Sequence, residues 1–188
     1  MNKFVLSTLA IMAVVSIWGL QPADAKQVKT DPTMTLLQMP TNDEISVGDG
    51  TTKEINKHTQ KLVNDVVIST RTMIKKDWKT IYIKAMPQEH VVRFYYTDRI
   101  GQAYSGQTIK NTGLSKGKYR AGVLRQNQAL QNLYVYLQQT NQDIPSSIDI
   151  IVTSQGQRIK TIMNYDENIR DISAYQYSYE QINFPNLK

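Results

Sequence analysis

The sequence predicts an α+β fold: a two-layer sandwich in which an antiparallel sheet of four to five strands carries two long helices on one face. Three observations predict it. Two segments repeat apolar residues at helical spacing, and four segments alternate with a period of two. The strands come in pairs joined by turns too short for a parallel crossover, so neighbours within a pair run antiparallel. Packing both apolar helix stripes against the single apolar face of a sheet gives the order α-β-β-(β)-α-β-β.

Residues 1–25 read as a cleavable secretory signal peptide. Lys3 supplies the positive n-region, and Phe4 to Leu20 is a charge-free apolar run. Pro22 breaks it, and Ala23-Asp24-Ala25 places small residues at −3 and −1. That run is about 17 residues, short of the roughly 20 that a spanning helix needs. The expectation is a periplasmic or secreted protein with no stable membrane anchor after cleavage behind Ala25. Removal of 25 of the 188 residues leaves 163, enough for one domain with a real core.

Residues 26–50 read as a linker or loosely packed arm, interrupted by Pro32 and Pro40 and closed by the turn-forming Ser46-Val-Gly-Asp-Gly50. Residues 51–168 form the expected α+β domain. Its first helix runs from Thr51 to Lys76, with Thr51 and Glu54 at capping-box spacing. Ile55, Leu62, Val63, Val66, Val67, Thr70, Met73 and Ile74 make one stripe. Thr80 to Met86 and His90 to Thr97 alternate as strands around the turn at Pro87. A weaker strand falls within Gln102 to Lys110. The second helix covers Lys118 to Asn141 and stops before Ile144-Pro145. Ser147 to Thr153 and Gln157 to Tyr165 form a hairpin across Ser154-Gln-Gly156. Residues 169–188 are a tyrosine-rich tail, in which Tyr175, Tyr177 and Tyr179 alternate as in an edge strand or an extended arm.

Catalytic chemistry is poorly signalled. His58 and His90 have no partner at metal-ligand spacing, and Asp166 and Glu167 are adjacent, pointing apart on an extended chain. Gly113-Leu-Ser115-Lys-Gly117 fits G-x-S-x-G and Ser115 to Lys118 fits S-x-x-K. A nucleophile elbow also needs a histidine after the serine, and both histidines precede it. Gly101 to Thr108 approximates a phosphate-binding loop but has Gln107 where the lysine belongs. The chain has no cysteine, which removes disulfides, thiol catalysis and a lipoprotein anchor. The expectation is a non-enzymatic protein with no cofactor and no metal.

Binding is better signalled. Eleven Tyr against three Phe favour rings with a polar tip, which suit protein interfaces. By strand parity, the sheet face away from the helices would carry Tyr82, Lys84, Arg93, Tyr95, Arg158 and Lys160, with Ile151 and Ile162 among them. That basic and aromatic mixture is the expected partner-binding surface. The net charge of +6 permits an anionic partner, yet no dense basic block marks nucleic acid as the main one.

Trp78-Lys-Thr-Ile-Tyr-Ile-Lys-Ala85 with Val92-Arg-Phe-Tyr-Tyr96, then Ser147-Ile-Asp-Ile-Ile-Val-Thr-Ser-Gln-Gly-Gln-Arg-Ile-Lys with Asn164-Tyr165-Asp166-Glu167, resemble the YezG-like immunity proteins of bacterial polymorphic toxin systems. The resemblance covers about residues 55–168. It implies an α+β antitoxin that binds a cognate protein toxin and neutralises it by occlusion. The chain departs from that family in being exported and basic, and in lacking a Trp-containing C-terminal ending. The alternative is a periplasmic accessory or binding module for an envelope polymer or a secretion assembly. Self-association stays open under either reading.

Overall fold

The computed structural model describes residues 44–47, 55–153, 158–165 and 169–188, the first of these for the backbone alone. The expected signal peptide, the Thr51 and Glu54 capping pair, the expected Ser154-Gln-Gly156 turn and Asp166-Glu167 lie outside the described residues. In chain order the elements are β1 (Glu44–Val47), α1 (Lys57–Arg71), β2 (Thr80–Met86), β3 (Val91–Thr97), β4 (Ala103–Ser105), α2 (Ile109–Thr112), α3 (Lys116–Gln139), β5 (Ser147–Thr153), β6 (Arg158–Asn164) and α4 (Ile172–Asn183).

The molecule is an α+β sandwich of one sheet and two long helices. Five strands, β2 to β6, pair antiparallel in the order β6-β5-β2-β3-β4. Glu44–Val47 of the expected arm adds a sixth, parallel strand beside β6, with Glu44 opposite Lys160. The two hairpins join through β2 and β5, where Ile83 faces Ile150 and Lys84 faces Asp149.

Alternation sorts the side chains. Ile81, Ile83, Val92, Phe94, Tyr96, Ile148, Ile150, Val152, Ile159 and Met163 point to the helices and are buried there. From the other side come Leu62, Val63, Val66 and Val67 of α1 and Leu130, Leu133 and Leu137 of α3. Such a core contributes roughly 25 cal/mol for each Å² of apolar surface removed from water.

Helix ends differ from the sequence reading in instructive ways. Within the described residues α1 starts at Lys57, where the Asn56 Oδ1 accepts from the Thr59 amide at 2.8 Å. It stops at Arg71, yet Met73 and Ile74 remain buried, because the turn after the helix folds them back onto the core. Helix α3 begins and ends two residues earlier than expected, with Ser115 as its N-cap residue. The two helices cross antiparallel. At one end the Gln126 amide donates to the Thr70 hydroxyl at 2.7 Å, and at the other the Tyr136 hydroxyl donates to Asn56 at 3.4 Å. Gly122 permits the close approach, since a Cβ there would sit 2.8 Å from Met73 Cγ. Of the weak third strand only Ala103–Ser105 pairs, followed by the short α2. Gly106 ends that pairing under the Phe94 ring, where a Cβ would lie 2.1 Å from the ring carbons.

The largest correction concerns the tail. Residues 172–183 form a helix, not an extended arm. Asp171 caps it, accepting from the Ser173 and Ala174 amides at 2.8 and 3.0 Å. In a helix Tyr175 and Tyr179 share a face at four-residue spacing while Tyr177 points elsewhere.

Candidate functional surface

The sheet face expected to be open is largely covered. Helix α4 and the residue after it pack on β2 and β3, so four of the six residues expected to contact a partner are engaged inside the molecule. Lys84 is 3% exposed, and its Nζ lies 2.9 Å from Asp149 Oδ2. The same ammonium sits 5.3 Å from the centroids of both Tyr175 and Tyr179, a cation held between two α4 rings. Tyr95 is 1% exposed and donates to Glu180 Oε1 at 2.8 Å. Arg93 Nε donates to Gln176 Oε1 at 2.8 Å, and the Gln176 amide donates onward to Glu180 at 2.8 Å. Tyr82 meets the Phe184 ring edge-on at 5.2 Å.

Phe184, just past α4, is the apolar anchor of this layer. It stacks on Tyr95 at 4.7 Å and lies 6.0 Å from Tyr179. The following residues return to the sheet edge, where Lys188 donates to the Ala103 carbonyl and its own carbonyl accepts from Ser105 and Asn111. Burial and then the Glu180 hydrogen bond push the Tyr95 hydroxyl far above the ordinary tyrosine range.

Arg158 and Lys160 on β6 remain exposed, so the basic surface survives only at that side of the sheet. What the rest of the face offers to solvent is the outer surface of α4. None of its twelve residues is buried, and Tyr177 and Ile182 are 65% and 78% exposed. The sequence assigned the partner-binding role to the face underneath and read the tyrosine tail as an edge strand or extended arm, so neither reading foresaw a helix as the outermost layer.

The catalytic patterns come apart in space. Ser115 sits at the N-cap position of α3 without a side-chain capping bond, whereas His90 and His58 pack against Tyr134 and Tyr136 near the helix's other end. At 1.5 Å per residue, 19 residues separate these sites by about 28 Å. A cleft of about 290 Å³ lies between β3 and α3, with Arg93, Gln107, Tyr119 and Gln126 in its lining. Two of its polar side chains are engaged internally: Tyr119 donates to the Gly106 and Gln107 carbonyls, and Gln126 to Thr70, while His90 and Asn127 complete the polar part of the lining. Among the described residues no group of three or more His, Cys, Asp or Glu could hold a metal ion, and no helix is long and apolar enough to cross a membrane.

The fold defines the chain as an α+β domain with a helix-covered sheet. No protein-family model matches it, and no curated protein matches it.

Proposed function

We propose that this chain is an exported, non-catalytic immunity-type protein that binds a cognate protein toxin and neutralises it by occlusion. The observation that carries the binding role is the outer surface of α4. A helix with no buried residue, presenting Tyr177 and Ile182, together with the exposed Arg158 and Lys160 on β6, has the aromatic, apolar and basic content of a protein interface. The toxin as partner is supported by the sequence resemblance of residues 55–168, and the place of action by the leader.

The test is recovery of the processed chain from the envelope of its native cell. Co-purification of a toxin domain at one-to-one stoichiometry, lost in a Tyr177→Ser, Ile182→Ser variant that still folds, supports the proposal. Recovery with only peptidoglycan or lipid defeats it.

A further inference from the structure

The net charge of this protein has an address. Six of the 22 basic residues and none of the 16 acidic ones fall between Arg99 and Gln142. That stretch therefore carries the whole formal charge of +6, and the other sixteen bases balance sixteen acids. No dense basic run reveals this along the chain, because the signal is a missing sign.

The fold then brings the lysines of this stretch beside three from the end of α1 and the start of β2. The Lys75 amide donates to the Thr112 carbonyl at 2.9 Å, next to Lys110 of α2. Gly113 packs against the stems of Lys75 and Lys76, and α3 opens three residues later with Lys116 and Lys118. Lys79 hydrogen-bonds through its amide to Thr97 at the end of β3. All six lysines are exposed, and among the described residues none forms an ion pair. The two nearby acids are engaged: Asp77 faces Arg99 at 3.4 Å, and Asp98 caps its own turn through the Ile100 and Gln102 amides.

That turn adds an apolar tip. Ile100 is 91% exposed. It is tied to the lysine cluster through a short series of contacts: Lys76 Nζ lies 5.8 Å from the Tyr104 ring, and Tyr104 donates to Asp98. Lysines are strongly hydrated point charges on long stems, suited to a diffuse field of anions, whereas planar recognition of single phosphates favours arginine. A naked isoleucine among them has no role in an attraction to a soluble polyanion. At a bilayer surface it enters the interfacial layer while the lysines meet the headgroups.

We infer that this end of the molecule docks reversibly on a membrane surface bearing anionic headgroups. The inference does not depend on a toxin partner, since none of its residues belongs to α4.

The test is co-sedimentation of the processed chain with vesicles containing about 30% phosphatidylglycerol, against vesicles of phosphatidylcholine alone. The expected result is binding to the first set only, weakened by salt. Each lysine near an anionic surface is worth roughly fivefold in partition, so Lys75→Glu with Lys76→Glu lowers binding by at least about tenfold. Ile100→Asp lowers it further, and unchanged melting curves show that these exposed substitutions leave the fold intact. The charge-matched control, Lys57→Glu with Lys61→Glu on the opposite end of α1, leaves binding within about twofold. Equal loss in the control overturns the localised surface. Binding insensitive to Ile100→Asp but competed away by inorganic polyphosphate overturns the membrane and assigns the patch to a soluble polyanion. Equal binding to neutral vesicles overturns the inference altogether.

Discussion

Lys84 is the residue whose surroundings say most about the molecule. Strand parity puts it on the face away from the main core, and that much was legible from Tyr82-Ile83-Lys84-Ala85. Its burial was not, because the covering layer is a helix encoded 90 residues later. The pair with Asp149 is joined by Asn164, whose amide donates to the same Oδ2 at 2.9 Å, while Asp149 Oδ1 is buried without a hydrogen-bond partner. Breaking such a pair from one side leaves a poorly solvated charge. Lys84→Met is expected to destabilise the fold by about 2 kcal/mol, below the range for fully buried pairs because Asp149 is partly exposed. Adding Asp149→Leu is expected to restore most of that loss, read as the midpoint of urea unfolding. A double variant as unstable as the sum of the singles would show that the pair is not the unit.

At the scale of elements, the two long helices and the strands β2, β3, β5 and β6 could be read from periodicity, since each buries an apolar set. The three-residue β4 buries none and was legible only as a weaker strand. Helix α4 could not be read this way. Its tyrosines at 175, 177 and 179 fit a period of two as well as a helix, and it has no apolar stripe to settle the matter. Only the cap at Asp171 favoured the helix, and Phe184 lies beyond its end. Glu44–Val47 was obscured for a related reason: four residues between turn signals carry too little pattern to announce a strand. Because α4 is held by polar contacts and one aromatic anchor, its docking is expected to be weaker than the sheet beneath. Phe184→Ala is expected to raise amide exchange across residues 172–183 by about a hundredfold, from a loss near 3 kcal/mol at that contact. The central strands β2 and β5 should keep their protection. Matching acceleration in both regions would make α4 part of the cooperative core.

Across the whole molecule, β3 ties the two layers together. Tyr95 faces α4 and Tyr96 faces α1 and α3, where its hydroxyl donates to the Asn111 carbonyl at 2.7 Å. Burial pushes the Tyr96 hydroxyl up to about 12, and Tyr95 is raised further. Both are held neutral in the folded state, so their contribution is fully present below the ordinary tyrosine value near 10. As pH rises past that value the unfolded chain loses protons that the folded one keeps, and stability falls. The melting temperature is therefore expected to drop steeply between about pH 10 and 12, and the drop should be shallower in Tyr95→Phe. An unchanged slope in that variant would remove Tyr95 from the account. The candidate surface was legible in kind, as basic and aromatic, but its position depended on which layer lay outermost.

The seam between β2 and β5 also sets an order of events in time. Lys84 and Asp149 are 65 positions apart, so the middle of the sheet joins two hairpins that are distant along the chain. Each hairpin can form locally within microseconds, but the two are joined only when the long loop containing α3 has closed. Until that loop closes, the edges of β2 and β5 that face each other in the sheet stay unpaired. No cysteine waits for an oxidant at that stage, so the speed of assembly rests on chain diffusion and the closure of long-range contacts such as this seam.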